Sequence, residues 1–348
     1  MIAPSPKEAV IDEATQKELL SLVALGRKYK WATGEVRRFL EERGINLARS
    51  DFYSEVPLLA EIESSFEYSG STNVNDTLPI FDHPDVFPEE WLRFFAAELA
   101  PFAADFDPSE FERAGSFSWS KGQLIGNDAT SYYAMIRRYR PAKVLEIGSG
   151  QSTFVAYSAL RDNGEGQLYC IDPEPRTDIT GLADIRFARC RVQEISPAEI
   201  VDILGPGDIL FYDGEHSLKT GNSAVYFYQL VLPYLRPGVL VHVHDVRLPY
   251  PRNIKALLDA RLYWTEPYIV MAYLHDIARY RVLFGSEFAN RRFPDIAKAM
   301  MHGKAGFGGV SLWFEILETS RNARPAKYPL QCSIKLSDLD SARVEVKL

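Results

Sequence analysis

From about residue 135 the chain alternates short apolar runs with stretches whose apolar positions recur every three to four residues. Runs of the first kind predict strands at 143–147, 168–171, 185–189, 208–212 and 239–244, with helices between them. One helix runs from Ser152 to Arg161 and ends at Asn163-Gly164. Another runs from about Ser223 to Tyr234 and is stopped by Arg236-Pro237-Gly238. Further helices are expected near 253–260 and 268–278, and strands at 279–284 and 310–316. Strand–helix alternation of this kind makes an α/β fold with a parallel sheet and helices on both faces.

The first 115 residues read differently. Helical signals lie at about Lys7–Arg27, at Gly34–Arg43 (Thr33 as cap, Gly44 as stop) and at Glu89–Leu99, with Pro88 at the first turn. Ser69 to Asn75 is polar and contains glycine, so it reads as a loop. Phe117 to Asn127 is either a glycine-hinged flap or a plain link into a helix that starts near Asp128. The chain therefore divides into a mainly helical N-terminal extension (1–115), an α/β domain (116–318) and a C-terminal tail (319–348). The extension fits a cap over a site, an arm for homo-oligomer formation, or a small separate domain.

Composition narrows the class. The 348 residues are 46% hydrophobic and 25% charged, ordinary for a soluble globular protein. A formal net charge of -8, with no dense Lys/Arg stripe, argues against a nucleic-acid partner. No apolar run reaches membrane-spanning length; the most apolar stretch, Val225 to Val246, is broken by Pro233, Arg236 and Pro237. Cys170, Cys190 and Cys332 are too scattered for a disulfide framework or a CxxC metal site. With acids from Glu8 onward and no signal-like opening, the expectation is a reduced cytoplasmic protein.

The richest stretch is Val144-Leu-Glu-Ile-Gly-Ser-Gly150, a strand running into a glycine turn. A second strand then ends in Asp172. Such a turn lets backbone approach a ligand closely, and an acid about 20 residues on can accept both ribose hydroxyls. An adenosine-bearing ligand is the expectation. The third glycine of the dinucleotide pattern is replaced here by Thr153, and Glu146 sits inside the strand. An acid there disfavours a diphosphate and suits a cationic ligand, so S-adenosylmethionine fits better than NAD. Glu146, Gly148, Ser149, Gly150 and Asp172 are the candidate cofactor residues.

This segment resembles the first two motifs of class I S-adenosylmethionine-dependent methyltransferases. The resemblance, which covers about residues 117 to 318, implies a Rossmann-like seven-stranded, mostly parallel sheet whose last strand inserts antiparallel. It also implies contacts to the cofactor from Gln193 and Asp213.

A second constellation follows. One strand ends in Asp213-Gly-Glu-His216, another in His244-Asp245. Ligands of open α/β sheets bind outside the carboxyl ends of the strands. If these strands are neighbours, the polar groups converge there. A hydroxyl is a poor nucleophile until its proton leaves; a positioned His can take that proton, and a cation held by carboxylates can lower its pKa. The arrangement is similar to the metal-dependent sugar O-methyltransferases of macrolide biosynthesis and the cephalosporin 7-hydroxy methylation group. Mapped by position, that similarity makes His216 the base and Asp213, His244 and Asp245 ligands of a divalent cation. His244 stands where those relatives have a carboxylate, so Mn²⁺, Zn²⁺ or Fe²⁺ suits the set better than Mg²⁺, or the cluster is a metal-free hydrogen-bonded network.

Blander readings stand beside these. His242 is expected to be a hydrogen-bonded core residue, Asp208 to cap its strand, and Cys190 to be a small buried apolar group. His83, His275 and His302 have no partner motif. The aromatic stretch Tyr263-Trp264-Thr-Glu266-Pro-Tyr268 either shapes an acceptor pocket or packs as a structural cluster. The sequence thus points to methylation of a hydroxyl on a sugar or other small molecule. Carboxylate methylation, an NAD-dependent dehydrogenase and an inactive cofactor-binding protein remain as alternatives.

Overall fold

The computed structural model describes residues 11–32, 34–47, 50–67, 80–120, 123–250, 252, 254–319, 334–336 and 339. The expected Ser69–Asn75 loop, the first residues of the expected Lys7 helix, the cap Thr33, Cys332 and most of the expected tail lie outside them. Two compact units make up the chain.

One unit comprises residues 1–71 together with 253–263. Its helices are Glu13–Tyr29, Glu35–Glu41, Leu59–Glu63 and Ile254–Ala260. The first begins where Asp12 accepts a hydrogen bond from the Thr15 N–H at 2.7 Å, which satisfies one of the free donors of a helix start. None of the residues of this helix is buried.

The other unit, residues 72–252 and 264–348, holds the sheet. Its strands are β1 (Lys143–Ile147), β2 (Gln167–Ile171), β3 (Ile185–Ala188), β4 (Ile209–Tyr212), β5 (Leu240–Val243), β6 (Tyr280–Gly285) and β7 (Leu312–Ile316). They lie in the order β3-β2-β1-β4-β5-β7-β6. β1 to β5 are parallel, and β7 runs antiparallel between β5 and β6. This is the seven-stranded, mostly parallel sheet expected from the resemblance. β1, β4 and β5 are apolar on both faces apart from Lys143 at the start of β1, Glu146 and His242, as strands covered by helices on both sides should be.

Helices differ from expectation in instructive ways. The stretch expected as one helix over Ser223–Tyr234 is an α turn at Ser223–Tyr226, a π turn at Phe227–Val231 and a 3-10 turn at Leu232–Tyr234. Pro233 has no N–H to continue the i→i−4 ladder, so the hydrogen bonding ahead of it re-forms. The helix expected at 268–278 instead spans Glu266–Leu274, with Pro267 in its first turn. Two short helices, Ser286–Arg292 and Pro294–Met300, were not signalled.

Parallel register lines up the strand ends. Ile147, Tyr212 and Val243 are neighbours across β1, β4 and β5. The ladder continues one residue further: Asp213 N–H donates to the Ile147 carbonyl at 2.8 Å and His244 N–H to that of Tyr212 at 3.1 Å. Gly148, Asp213 and His244 therefore stand in one row at the carboxyl edge. The expected structural residues sit below this edge. His242 is fully buried, its Nε2 2.7 Å from Ser311 Oγ and its ring stacked on Trp313. Asp208 accepts from the N–H groups of Lys143 and Gly205 and ties down the start of β4.

Candidate active site

A cavity of about 830 Å³ opens above the carboxyl ends of β1, β2, β4 and β5, within the range of small-molecule sites. Its floor is the turn Gly148-Ser149-Gly150. Gly148 has φ +89°, and a Cβ there would overlap the Asp213 carbonyl, so only glycine lets β1 and β4 end side by side. Gly150 has open space where a Cβ would sit. Its backbone is extended, so what its lack of a side chain preserves is room in the cavity.

Asp172 lines the cavity and holds the turn from the side. Its Oδ2 accepts from the Ser149 N–H at 2.8 Å and its Oδ1 from the Glu174 N–H at 2.7 Å. Burial pushes its pKa up, against the pull of those two hydrogen bonds. Gln193 also lines the cavity, with its Nε2 donating to the Gly221 carbonyl at 3.0 Å. Ser149 Oγ is buried and has no hydrogen-bond partner among the described residues, an unusual state for a hydroxyl. Asp172, Glu174 and Asp213 share the wall with Arg176, Arg191 and Lys219. A wall of both signs suits a ligand carrying both, such as an amino acid bearing a sulfonium. The open space at Gly150, the orphan Ser149 hydroxyl and this donor set fit S-adenosylmethionine.

Glu146 is set back from the cavity wall and fully buried. Its carboxylate accepts from the Thr153 hydroxyl at 2.6 Å and from the Tyr132 hydroxyl at 3.1 Å. Thr153 Oγ1 in turn accepts the Gly150 N–H at 3.1 Å. Glu146 thus reaches the glycine turn through Thr153, the residue standing in the third-glycine position. Burial pushes its pKa up to about 7, against the lowering effect of hydrogen bonds from Thr153, Ser152 and Tyr132.

Beyond the turn the structure brings the second constellation together. His216 Nε2 lies 3.6 Å from Asp213 Oδ1 and 3.5 Å from Asp245 Oδ2. Among the described residues, the cluster able to hold a metal ion is Asp213, His216 and Asp245, whose ligand atoms all lie within 4.8 Å of one another. It shares both aspartates with the set expected from sequence and differs in the histidine. His244 lies deeper, with Nε2 3.4 Å from Asp128 Oδ2 and Nδ1 3.5 Å from Asp213 Oδ1, ion-pair rather than good hydrogen-bond distances. Burial alone would lower its pKa, but Asp213 and Asp128 on either side hold it well above the usual histidine range. Asp213 is correspondingly held low: the pull of His244 and His216 outweighs burial, its largest single influence.

Two carboxylates of this site escaped the sequence reading. Asp128, 1% exposed, accepts from the N–H groups of Val310 and Ser311 and faces His244. Glu266, also 1% exposed, lies 2.7 Å from His216 Nδ1. Nothing in the spacing announces either contact, since Glu266 is 50 residues from its histidine. The signal available was a charged residue inside an otherwise aromatic stretch.

Residues 145–246 match a family described as a methyltransferase domain. No curated protein matches the sequence. Among solved structures, the chain is similar to the O-methyltransferase TomG of Streptomyces achromogenes, involved in tomaymycin synthesis and solved with SAM. Identity there is 16% over 66% of this chain and 98% of that one, with a TM-score of 0.36. A putative O-methyltransferase from Klebsiella pneumoniae is 14% identical over 67% and 99%, TM-score 0.36. An O-methyltransferase from Bacillus cereus in complex with SAH is 11% identical over 65% and 91%, TM-score 0.32. Sheet order, glycine turn and strand-end acids define an α/β protein with a polar cavity at the carboxyl edge of its sheet. The matched methyltransferase domain, residues 145–246, spans that edge.

Proposed function

We propose that this enzyme methylates a hydroxyl oxygen on a small molecule, with a sugar as the acceptor class the site suits best. The observation that carries this reading is His216. It stands at the end of the cavity beyond the cofactor turn, its Nε2 turned toward Asp213 and Asp245. Bound S-adenosylmethionine would supply a methyl group activated by its sulfonium. Ser149, Gly150, Asp172 and Gln193 would hold it, with Glu146 acting from behind the turn. His216 would take the proton of the acceptor hydroxyl, a role that typically contributes roughly 10²–10⁴-fold. Asp213 and Asp245 would orient the hydroxyl and stabilise the imidazolium. The Trp264 ring lies 4.2 Å from that of His216 between centroids, and the Arg252 guanidinium lies 3.8 Å from its centre.

The cluster of Asp213, His216 and Asp245 also fits a divalent cation, and two carboxylates with one imidazole suit Mn²⁺, Fe²⁺ or Zn²⁺. A cation there would occupy the Nε2 lone pair, so it and proton abstraction by His216 exclude each other. The test is transfer of labelled methyl from S-adenosylmethionine to a panel of hydroxylated sugars and phenols, with carboxylic acids in parallel. His216→Ala is expected to lose two decades or more of hydroxyl methylation while still binding the donor. Activity on carboxylates that survives His216→Ala would establish the rival reading. Turnover that persists after chelation supports the base, and turnover abolished by chelation and restored by Mn²⁺ supports the cation.

A further inference from the structure

We infer that Glu266 is a positioning residue: held by Tyr228, it fixes the His216 ring with its proton on Nδ1 and its free lone pair on Nε2 facing the cavity. This rests on the reading of His216 as the acting base. Glu266 Oε2 lies 2.7 Å from His216 Nδ1, and Oε1 accepts the Tyr228 hydroxyl at 2.6 Å. The backbone repeats the attachment: the Glu266 N–H donates to the His216 carbonyl at 3.0 Å, and the Leu218 N–H to Thr265 Oγ1 at 2.8 Å. The Trp264 ring packs against that of His216, centroids 4.2 Å apart and planes tilted by 34°. The loop after β4 is therefore clamped to the start of the helix Glu266–Leu274 at four points, three on His216 and one on Leu218.

A carboxylate 1% exposed is costly to bury unless something is gained from it. Glu266 does not line the cavity, so it meets neither donor nor acceptor. Both of its oxygens are committed, and it opens a helix, where the N-terminal end of the dipole favours negative charge. Tyr228 reaches it from the π turn Phe227–Val231, the irregular turn that departs from the expected helix. A carboxylate beside Nδ1 accepts its N–H, so in the neutral ring Nε2 is the unprotonated nitrogen, on the cavity side. When the acceptor O–H bond breaks, the proton passes to Nε2 and the electron pair stays on oxygen for the methyl carbon. Nδ1–H stays in place, and Glu266 stabilises the charged ring.

The test needs no acceptor in its first arm. Nitrogen-15 spectra of the six histidine rings, with the His216 signals assigned by their loss in His216→Ala, are recorded at a pH high enough to leave the ring neutral. A protonated Nδ1 and an unprotonated Nε2 in the unmodified protein are expected; the opposite tautomer overturns the proposal. In the second arm Glu266→Gln, which keeps shape and hydrogen-bonding capacity, is assayed with the hydroxyl acceptor found by the panel. A fall in kcat of about a hundredfold or more is expected, with KM for S-adenosylmethionine within about twofold, and kcat within threefold of the parent overturns it. Should the panel yield no hydroxyl acceptor, the hydroxyl reading fails and the nitrogen spectra alone decide the role of Glu266.

Discussion

Glu146 shows how one buried residue connects stability to the cofactor turn. Its ordinary pKa of 4.5 rises to about 7 in the fold, chiefly because burial disfavours the charged form. Between those values the folded protein binds more protons than the unfolded chain, so this residue makes stability fall as pH rises. At 1.36 kcal/mol per pH unit the full effect is about 3 kcal/mol, present above pH 7 and absent below pH 4.5. Glu146→Gln, which can keep the Thr153 and Tyr132 contacts, should therefore gain on the parent by about 2–3 kcal/mol between pH 5 and pH 8 in urea unfolding. A difference independent of pH would show that the carboxyl does not titrate in this window. Asp128 should be costlier to lose. Asp128→Ala strips a buried partner from His244 and the acceptor of the Val310 and Ser311 N–H groups, and a loss of about 3–5 kcal/mol is expected, read in the same unfolding experiment.

At the scale of the element, the glycine turn separates two roles that look alike in sequence. Gly148→Ala forces a Cβ into the Asp213 carbonyl at positive φ, so it should destabilise the fold by at least 1–3 kcal/mol, by a rough estimate, and move the end of β4. Gly150→Ala meets nothing within 4 Å and should leave the melting temperature unchanged. Its methyl group would take up space at the cavity floor, and calorimetry should show S-adenosylmethionine binding weakened by about tenfold or more. Unchanged affinity in Gly150→Ala would mean that the donor lies elsewhere. Strand positions were readable because buried parallel strands are short apolar runs with clear punctuation. The segment 223–234 was not, because its apolar periodicity is helical while the widening at Phe227–Val231 is set by Pro233 and by packing. Helices Ser286–Arg292 and Pro294–Met300 carry too few turns for their periodicity to stand out.

For the whole molecule, the cavity is lined by residues between Gln123 and Trp264, all in the unit that holds the sheet. A chain lacking residues 1–71 should therefore bind S-adenosylmethionine with affinity within about threefold of the parent, measured by calorimetry. A larger loss would place determinants of donor binding in the first unit. Among the described residues no helix is long and apolar enough to cross a membrane.

The sequence by itself determined the order of the strands, the glycine turn, and the acids and histidines that follow the strands, because each is a local pattern of side-chain size and polarity. That β1, β4 and β5 lie side by side was only a condition in the sequence; the parallel pairing that sets Gly148, Asp213 and His244 in one row is a finding of the structure. Only the tertiary structure decided what those side chains face. Glu146 spends its carboxylate on Thr153 and Tyr132 behind the turn. His244 is enclosed between Asp128 and Asp213, and His216 takes the position beside the two aspartates with Glu266 at its back. These pairings join residues far apart along the chain, and a buried charge accepts whichever partner the packing brings within about 3 Å. Spacing along the sequence carries no record of that choice.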